Sequence, residues 1–140
     1  MAVKTYRASE VSASLGGAAL SGYGDGTFVS VAYNNDFFSL AKGADGEGLR
    51  SSSEDLSARV TLTLMQGSAS NDVLSAFLLA DINSDVGGLP FLLKDASGRM
   101  LFSSASMWIV KYPDVERGKE GSMVSWVIET NSLQGFVGGH

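Results

Sequence analysis

The residue types that could carry out covalent chemistry are few in this sequence. His140, the last residue, is the only histidine, and there is no cysteine. A nucleophilic serine needs a histidine within hydrogen-bond reach and a third group that orients it. Because a chain terminus rarely fixes an imidazole in this way, we expect no Ser-His catalysis. The absence of cysteine excludes thiolate nucleophiles, disulfides and cysteine-based metal sites.

One acidic segment, Asp81–Asp85, has the side-chain oxygens of a calcium loop at its first, third and fifth positions. An EF-hand loop also needs a glycine at position six and a bidentate acid at position twelve. Those positions hold Val86 and Leu92. A helix end followed by the turn Gly87-Gly88 explains the segment better, so we predict no metal site.

Two further patterns invite a ligand-binding interpretation. The glycine-rich segment Gly22–Gly26 precedes a strand-like run, whereas a phosphate-binding loop leads into a helix. Trp108 and Trp126 could stack a ligand, but tryptophans in paired strands usually pack in a core or between subunits. The carboxylates lie chiefly in turns, where a solvated charge is the simpler interpretation. We therefore predict no catalytic residue and no cofactor.

The composition indicates one acidic domain with a weakly charged surface. The chain has 140 residues and a formal net charge of -5, and only 18% of its residues are charged, against about 25% in ordinary domains. A negatively charged protein is not expected to bind nucleic acid, because that binding comes mainly from Lys and Arg side chains that neutralise phosphates. The scarcity of charge indicates a surface that partners cover.

The beginning of the sequence contains no apolar signal-peptide core, and no stretch approaches the length of a membrane span. We therefore expect a protein that is made and folded in the cytoplasm and does not bind a membrane.

Short alternating segments bounded by turn residues predict a mainly β protein of antiparallel strands. The clearest case is Ser57–Met65, in which Ala58, Val60, Leu62 and Leu64 share one face. The predicted strands are Val11–Leu15, Ala18–Leu20, Thr27–Tyr33, Phe37–Ala41, Ser57–Met65, Pro90–Lys94, Arg99–Ser103, Ser106–Tyr112 and Met123–Thr130.

Three segments differ from this pattern. Apolar residues at helical spacing predict one flanking helix over about 71–81, with Ser70, Asn71 and Asp72 offering cap oxygens. The segment of about 42–56 is too polar for a core and predicts a long polar arm without secondary structure of its own. Residues 134–140 predict a tail that is loose or ordered only against a neighbour.

With these elements placed, nearly the whole chain resembles the tail tube proteins of contractile-tailed bacteriophages. Order and spacing both fit, although no single motif is diagnostic. The segments that carry the resemblance are Asp25–Val31, Gly43–Glu47, Val60–Gln66, Ser70–Ala76, Leu101–Ser103, Ala105–Ile109 and Glu116–Glu120.

The resemblance implies a β-sandwich or half-barrel of residues 1–140 whose copies close into hexameric rings and stack into a hollow tube. It also implies a non-enzymatic virion protein with a tail sheath, baseplate or tip proteins and terminator proteins as partners. DNA would pass through the tube without specific binding. Assembly would take place in the host cytoplasm. Pairing between copies would cover strand edges that otherwise recruit other chains.

If copies of the chain form such a tube, we expect its charged side chains to line the lumen or to lie where copies meet. An acidic lumen would repel DNA phosphates, and an acidic oligomer needs its few cations where copies meet. The arm is expected to reach the adjacent subunit or ring. Candidate interface residues are Lys42, Asp45, Glu47, Arg50, Glu54, Asp55, Arg59 and Arg117; candidate lumen charges are Asp25, Asp36, Asp45 and Glu47.

Two alternatives remain open at the level of sequence. The chain could be the tube component of a secretion or phage-derived injection machine, which passes protein effectors through the same architecture. It could instead be a monomeric ligand-binding β-barrel or carbohydrate-binding module, which keeps an apolar pocket inside one chain.

Overall fold

Short alternating segments become antiparallel strands in this protein, and one helix interrupts them. The structure is a computed structural model, which describes residues 3, 5–24, 26–95 and 100–138. A 3-10 turn, Ala8–Glu10, precedes the first strand. The strands are β1 (Ser12–Leu15), β2 (Ala18–Ala19), β3 (Val29–Tyr33), β4 (Phe38–Lys42), β5 (Gly48–Ser52), β6 (Ala58–Met65), β7 (Leu89–Lys94), β8 (Met100–Lys111), β9 (Met123–Thr130) and β10 (Gln134–Val137), with helix α1 (Ser70–Ser84) between β6 and β7.

Eight of these strands form one sheet with the order β2-β1-β7-β8-β9-β6-β3, and β10 pairs with β8 as well. All pairings between these strands are antiparallel. β4 and β5 pair only with each other, as a separate two-stranded sheet. The prediction of a mainly β, antiparallel fold with one helix is confirmed.

The prediction of two strands over 99–103 and 106–112 is wrong. The structure has one long strand there, β8. Its first part, Met100–Ser103, pairs with β10. Its last part, Met107–Lys111, pairs with β9, and the register shifts between Ile109 and Lys111. Residue 99 lies outside the described residues.

A cluster of buried hydroxyls fills the junction where β8 passes from β10 to β9. The Oγ atom of Ser104 lies 2.8 Å from the Oγ1 atom of Thr130. Ser104 also donates to the carbonyl of Ser132 at 2.8 Å, and Thr130 donates to the carbonyl of Ser106 at 2.7 Å. The register of β7 against β8 shifts beside these hydroxyls, and they bond backbone carbonyls there, so polar serines fit inside the strand.

The hydrophobic core follows the alternation of the strands. In β6 the side chains of Ala58, Val60, Leu62 and Leu64 are fully buried, while Met65 is exposed. The core continues across β1, β7, β8 and β9. Its largest fully buried side chains are Trp126, Leu15, Leu62, Leu64, Leu74, Leu93, Met107, Ile128, Leu133 and Val60.

Helix α1 packs one side against this core, through Leu74 and Leu78. Its first residue follows Ala69, which makes no side-chain capping hydrogen bond. The Ser68 hydroxyl instead accepts a hydrogen bond from the Ser70 amide at 3.2 Å. The Asn71 Oδ1 atom accepts a hydrogen bond from the indole of Trp126 at 3.0 Å. Asn71 therefore ties the helix to the sheet instead of capping the helix.

The helix extends to Ser84, three residues beyond the predicted end. Asp85 then adopts a left-handed conformation with φ of 50°. The Oδ1 atom of Asp81 accepts a hydrogen bond from the Gly87 amide at 3.1 Å. This acidic segment is a helix end, as the sequence indicated.

The two segments expected to lack structure both contain strands. In the segment of about 42–56, residues 48–52 form β5, which pairs with β4, the strand predicted over 37–41; from here on the arm means this β4–β5 hairpin. In the tail, Gln134–Val137 pairs with Met100–Ser103, because this part of β8 has a free edge once β9 has ended. The expectation of a loose tail is therefore wrong for these four residues, and residues 139–140 lie outside the described part of the chain.

Candidate assembly interface

The arm is a hairpin separate from the eight-stranded sheet, and its strands are exposed along their whole length. Its turn is closed by hydrogen bonds from the Gly43 amide to the Glu47 carbonyl at 2.8 Å and from the Glu47 amide to Asp45 Oδ1 at 3.2 Å. Every residue of β4 and of β5 is exposed. A two-stranded hairpin is marginally stable by itself in water, so contacts within the hairpin alone stabilise it weakly.

Both faces of the arm carry apolar side chains. Phe38 and Leu40 share one face with Arg50, whose guanidinium carbon lies 3.8 Å from the centre of the Phe38 ring. Leu49 lies on the opposite face. The exposed fractions of Leu40 and Leu49 are 66% and 68%. Exposed leucines on two faces of one hairpin are typical of an interaction site.

The base of the arm is held by a small polar cluster, the neck, formed by Asn34, Asn35, Asp55 and Ser57. The Oδ1 atom of Asp55 accepts a hydrogen bond from the Ser57 amide at 2.9 Å, and its Oδ2 atom accepts one from the Asn35 side chain. The Asn34 side chain donates to the Ser57 hydroxyl at 3.1 Å. Hydrogen bonds from the backbone and side chain of Ser57 hold the pKa of the Asp55 carboxyl below its usual value, with a smaller contribution from Asn35.

The neck also closes the backbone around the hairpin. The Ser53 amide donates to the carbonyl of Phe37 at 2.7 Å. The two chain segments therefore meet immediately outside Phe38–Ser52, so the arm is an insertion between two joined ends.

The structure distributes the eight predicted interface residues over three places. Lys42, Asp45, Glu47 and Arg50 lie together on the arm, and Glu54 and Asp55 lie at its base. Arg59 lies on the outer face of β6. Arg117 lies in the exposed link between β8 and β9, where it donates to the Glu116 carbonyl at 3.0 Å.

Arg59 has a partner within its own chain that the sequence analysis missed. Its Nε atom lies 2.9 Å from Oε1 of Glu129, and its Nη2 atom contacts the same oxygen. The two residues stand opposite each other in the paired strands β6 and β9. Their shared outward position in two strands of alternating pattern was the signal that could have found this pair.

The surface around this ion pair is rich in hydroxyl groups. Thr61, Thr63 and Ser125 belong to the face of β6 and β9 that points away from the core, and the Thr63 and Ser125 hydroxyls lie 3.3 Å apart. We call the outward side of β3, β6 and β9 the hydroxyl face. Its one cation, Arg59, is neutralised by Glu129 among the residues that the structure describes.

The predicted lumen charges do not gather in one place. Asp36 is exposed in the turn before the arm, while Asp45 and Glu47 lie at the arm's tip. Asp25 lies outside the described residues. No shared acidic cluster forms among the three that are described.

The remaining polar groups in the interior have structural partners. Burial raises the pKa of Tyr33, whose hydroxyl donates to the Leu133 carbonyl at 2.8 Å. Burial also raises the pKa of Tyr23, whose hydroxyl accepts a hydrogen bond from the Ala13 amide at 3.2 Å. A cleft of about 540 Å³ is lined mainly by apolar residues such as Phe28, Val29 and Phe102.

Among the residues described, no three metal-ligating side chains come together. Within the same set, no helix has the length and apolar character needed to cross a membrane.

The described residues form an antiparallel sheet with one helix and an exposed arm. The family model described as the bacteriophage PhiTE tail tube protein matches residues 3–138, and the chain belongs to this family. Structural protein ORF10 of Pseudomonas phage KPP10 is 32% identical over 124 residues, which is 86% of this chain and 71% of that protein.

Solved structures with the same fold come from contractile injection systems. The tube-terminating cap of the anti-feeding prophage has a TM-score of 0.61 and 11% identity, over 98% of this chain and 95% of that one. The PVC sheath/tube terminator in its extended state has the same score and identity, over 96% and 99%. A chain of the PVC sheath-tube complex has a TM-score of 0.58 and 11% identity, over 95% and 92%.

The chain is therefore a structural protein of the phage tail tube class and not an enzyme, and its place is the virion. In fold it is related to tube components of contractile injection systems.

Proposed function

We propose that six copies of this chain close into a ring and that the rings stack into the hollow inner tube of a contractile phage tail. The observation that carries this proposal is the arm, which exposes leucines on both faces and forms a two-stranded sheet separate from the main one. A second copy is the partner that a tube subunit always meets. Head-to-tail contacts of this kind close into rings or continue as filaments.

The hydroxyl face is our proposed wall of the channel. A surface of threonine and serine with a neutralised arginine gives DNA phosphates no cation to bind. The formal charge of -5 per chain gives about -30 per ring of six, so the field of the tube repels DNA. DNA then slides through without being held, and Asp36 contributes to this field from the turn beside the arm.

The other partners follow from this role. The tube lies inside a sheath, begins at a baseplate or tip and ends at a terminator, and each subunit acts as one domain assembled in the host cytoplasm. The fold relatives taken from a sheath-tube complex and from terminators support these partners.

A tube that passes protein effectors in an injection machine is the second candidate, favoured by the source of those fold relatives. Genes for capsid and DNA packaging beside this one indicate a phage, and their absence together with effector genes indicates an injection machine.

Negative-stain microscopy with light scattering over a concentration series tests the assembly. We expect rings or tubes with sixfold symmetry at high protein concentration. A strict monomer that melts at a higher temperature with a small ligand would contradict the proposal and favour a ligand-binding module.

The channel wall is tested with Glu129→Gln, which leaves the Arg59 cation without its partner. We expect assembled tubes of this variant to retain short labelled DNA at low salt and to release it as salt rises. Glu54→Gln, which removes the same charge outside the hydroxyl face, is the matched control. Equal DNA retention by the two variants would contradict the assignment of the wall.

A further inference from the structure

A groove of about 380 Å³ lies at the end of β8 and the start of β9. Its apolar lining includes Tyr112, Pro113 and Met123, and its acidic lining includes Asp114 and Glu116. Tyr112 and Met123 are 45% and 43% exposed. The groove borders the hydroxyl face, because Met123, Ser125 and Val127 of its lining lie on the outward side of β9.

The groove and the arm lie at opposite ends of the same strand. β6 begins at Ala58, next to the neck, and ends at Met65, which pairs with Met123 at the edge of the groove. Eight residues at about 3.3 Å each separate the two ends by about 25 Å. Complementary surfaces at opposite ends of a subunit are what head-to-tail association of identical copies requires.

The two surfaces also match in chemistry. One face of the arm's two strands presents Phe38 and Leu40 together with the cations Lys42 and Arg50, and the arm's carboxylates, Asp45 and Glu47, lie in the turn between the strands. The groove presents an aromatic ring and a methionine, and methionine adapts its shape to varied partners. Its two carboxylates outnumber its one cation, Lys111, so the charges of arm and groove are complementary.

We propose that this groove receives the arm of a second copy of the same chain. Phe38 and Leu40 occupy the apolar part of the groove, and Lys42 and Arg50 lie against Asp114 and Glu116. This inference rests on the proposed tube and names the surface through which its subunits connect.

Cysteine cross-linking tests the contact cleanly, because the chain has no cysteine of its own. The full-length variant Leu40→Cys with Met123→Cys is assembled, oxidised and run on a denaturing gel without reductant. We expect a ladder of covalent multimers, since each arm would link to the next groove. Each single variant should give no species larger than a dimer.

A matched control moves the acceptor cysteine to the other exposed apolar surface, the outer side of α1. Leu79 is 51% exposed there, and Leu40→Cys with Leu79→Cys should give no ladder. A ladder with Leu79→Cys, or normal tubes without a ladder for Met123→Cys, overturns the groove and leaves the tube proposal standing. Wild-type protein that stays monomeric overturns the tube itself.

If a cysteine variant does not assemble, charge reversal tests the contact between the arm and the groove instead. Arg50→Glu places like charges together and should raise the concentration needed for assembly about tenfold or more. Adding Glu116→Lys to the same chain should recover most of that loss. Failure of the second change to restore assembly would overturn the pairing of these two side chains.

Discussion

The eight-stranded sheet and the arm show opposite uses of the same strand geometry. β6 alternates between fully buried and outward side chains, so its pattern is explained within one chain. β4 and β5 bury neither face, although Phe38, Leu40 and Leu49 are as apolar as core residues. The comparison teaches that burial within one chain explains the pattern of β6 but not that of β4 and β5, which is why we propose a neighbouring chain as the partner of the arm.

The largest effect on the stability of the single chain is expected in the buried core of the eight-stranded sheet. Leu62→Ala removes a fully buried side chain and should lower the free energy of unfolding by about 2–5 kcal/mol. Met65→Ala, in the same strand but 52% exposed, should change it by about 0.5 kcal/mol or less. Urea unfolding of both variants measures the difference, and equal losses would contradict the assigned faces of β6.

A smaller loss is expected at the buried hydroxyl cluster. Thr130→Val keeps the shape of the side chain but leaves the Ser104 hydroxyl and the Ser106 carbonyl without this partner. Leaving buried polar groups unsatisfied costs about 1–3 kcal/mol. Thr63→Val, on the hydroxyl face, is the control and should be nearly neutral. Thermal melting that does not separate the two variants would show that the cluster adds no stability.

This cluster illustrates which parts of the fold the sequence could predict. The alternation in 57–65 predicted β6 and its buried face directly, because burial on one side imposes a period of two. The serines of Ser103–Ser106 predict a break between two strands, because serine favours turns. The strand continues there because β7 pairs with it on both sides of the serines and because Ser104 meets Thr130, 26 residues away, and neither contact can be inferred from this segment alone.

The arm and Arg59 illustrate the limits for the candidate site. The sequence identified the polar segment and its charges, but the pairing of Leu40 with Arg50 across the hairpin depends on a turn that polarity alone does not specify. The partner of Arg59 depends on the register of β6 against β9, which a single strand pattern cannot fix.

Removing the arm should leave the stability of the single chain almost unchanged and abolish assembly. Phe37 and Ser53 already share a backbone hydrogen bond, so two glycines can replace residues 38–52 without strain. We expect a melting temperature within a few degrees of the wild type and no tubes by microscopy.

A matched control keeps the arm and changes only its apolar side chains. Phe38, Leu40 and Leu49 replaced together by serine should also block assembly, because the hairpin loses the surface that a partner would cover. Tubes of normal yield from either variant would show that the arm does not connect subunits.

The smallest effect is expected at the neck, where Asp55 joins the two regions. Its pKa is lowered in the folded protein by the hydrogen bonds from Ser57, so the carboxylate form is the one that the fold favours. The contribution of this group is therefore present above the unfolded pKa and is lost as the pH falls through the lower folded value. Because Asp55 is exposed, the global stability should hardly respond, and the local opening of the neck is the quantity to measure.

Amide hydrogen exchange at Ser57 reports that opening. Wild-type protection, relative to the rate of the free peptide, should fall as the pH drops below about 4, whereas Asp55→Ala should show weak protection at all pH values. Glu54→Ala, a neighbouring carboxylate outside the hydrogen-bonded neck, should follow the wild type. Identical protection in Asp55→Ala and wild type would mean that backbone hydrogen bonds alone hold the base of the arm. The Asp55 side chain would then add nothing to the stability of the neck.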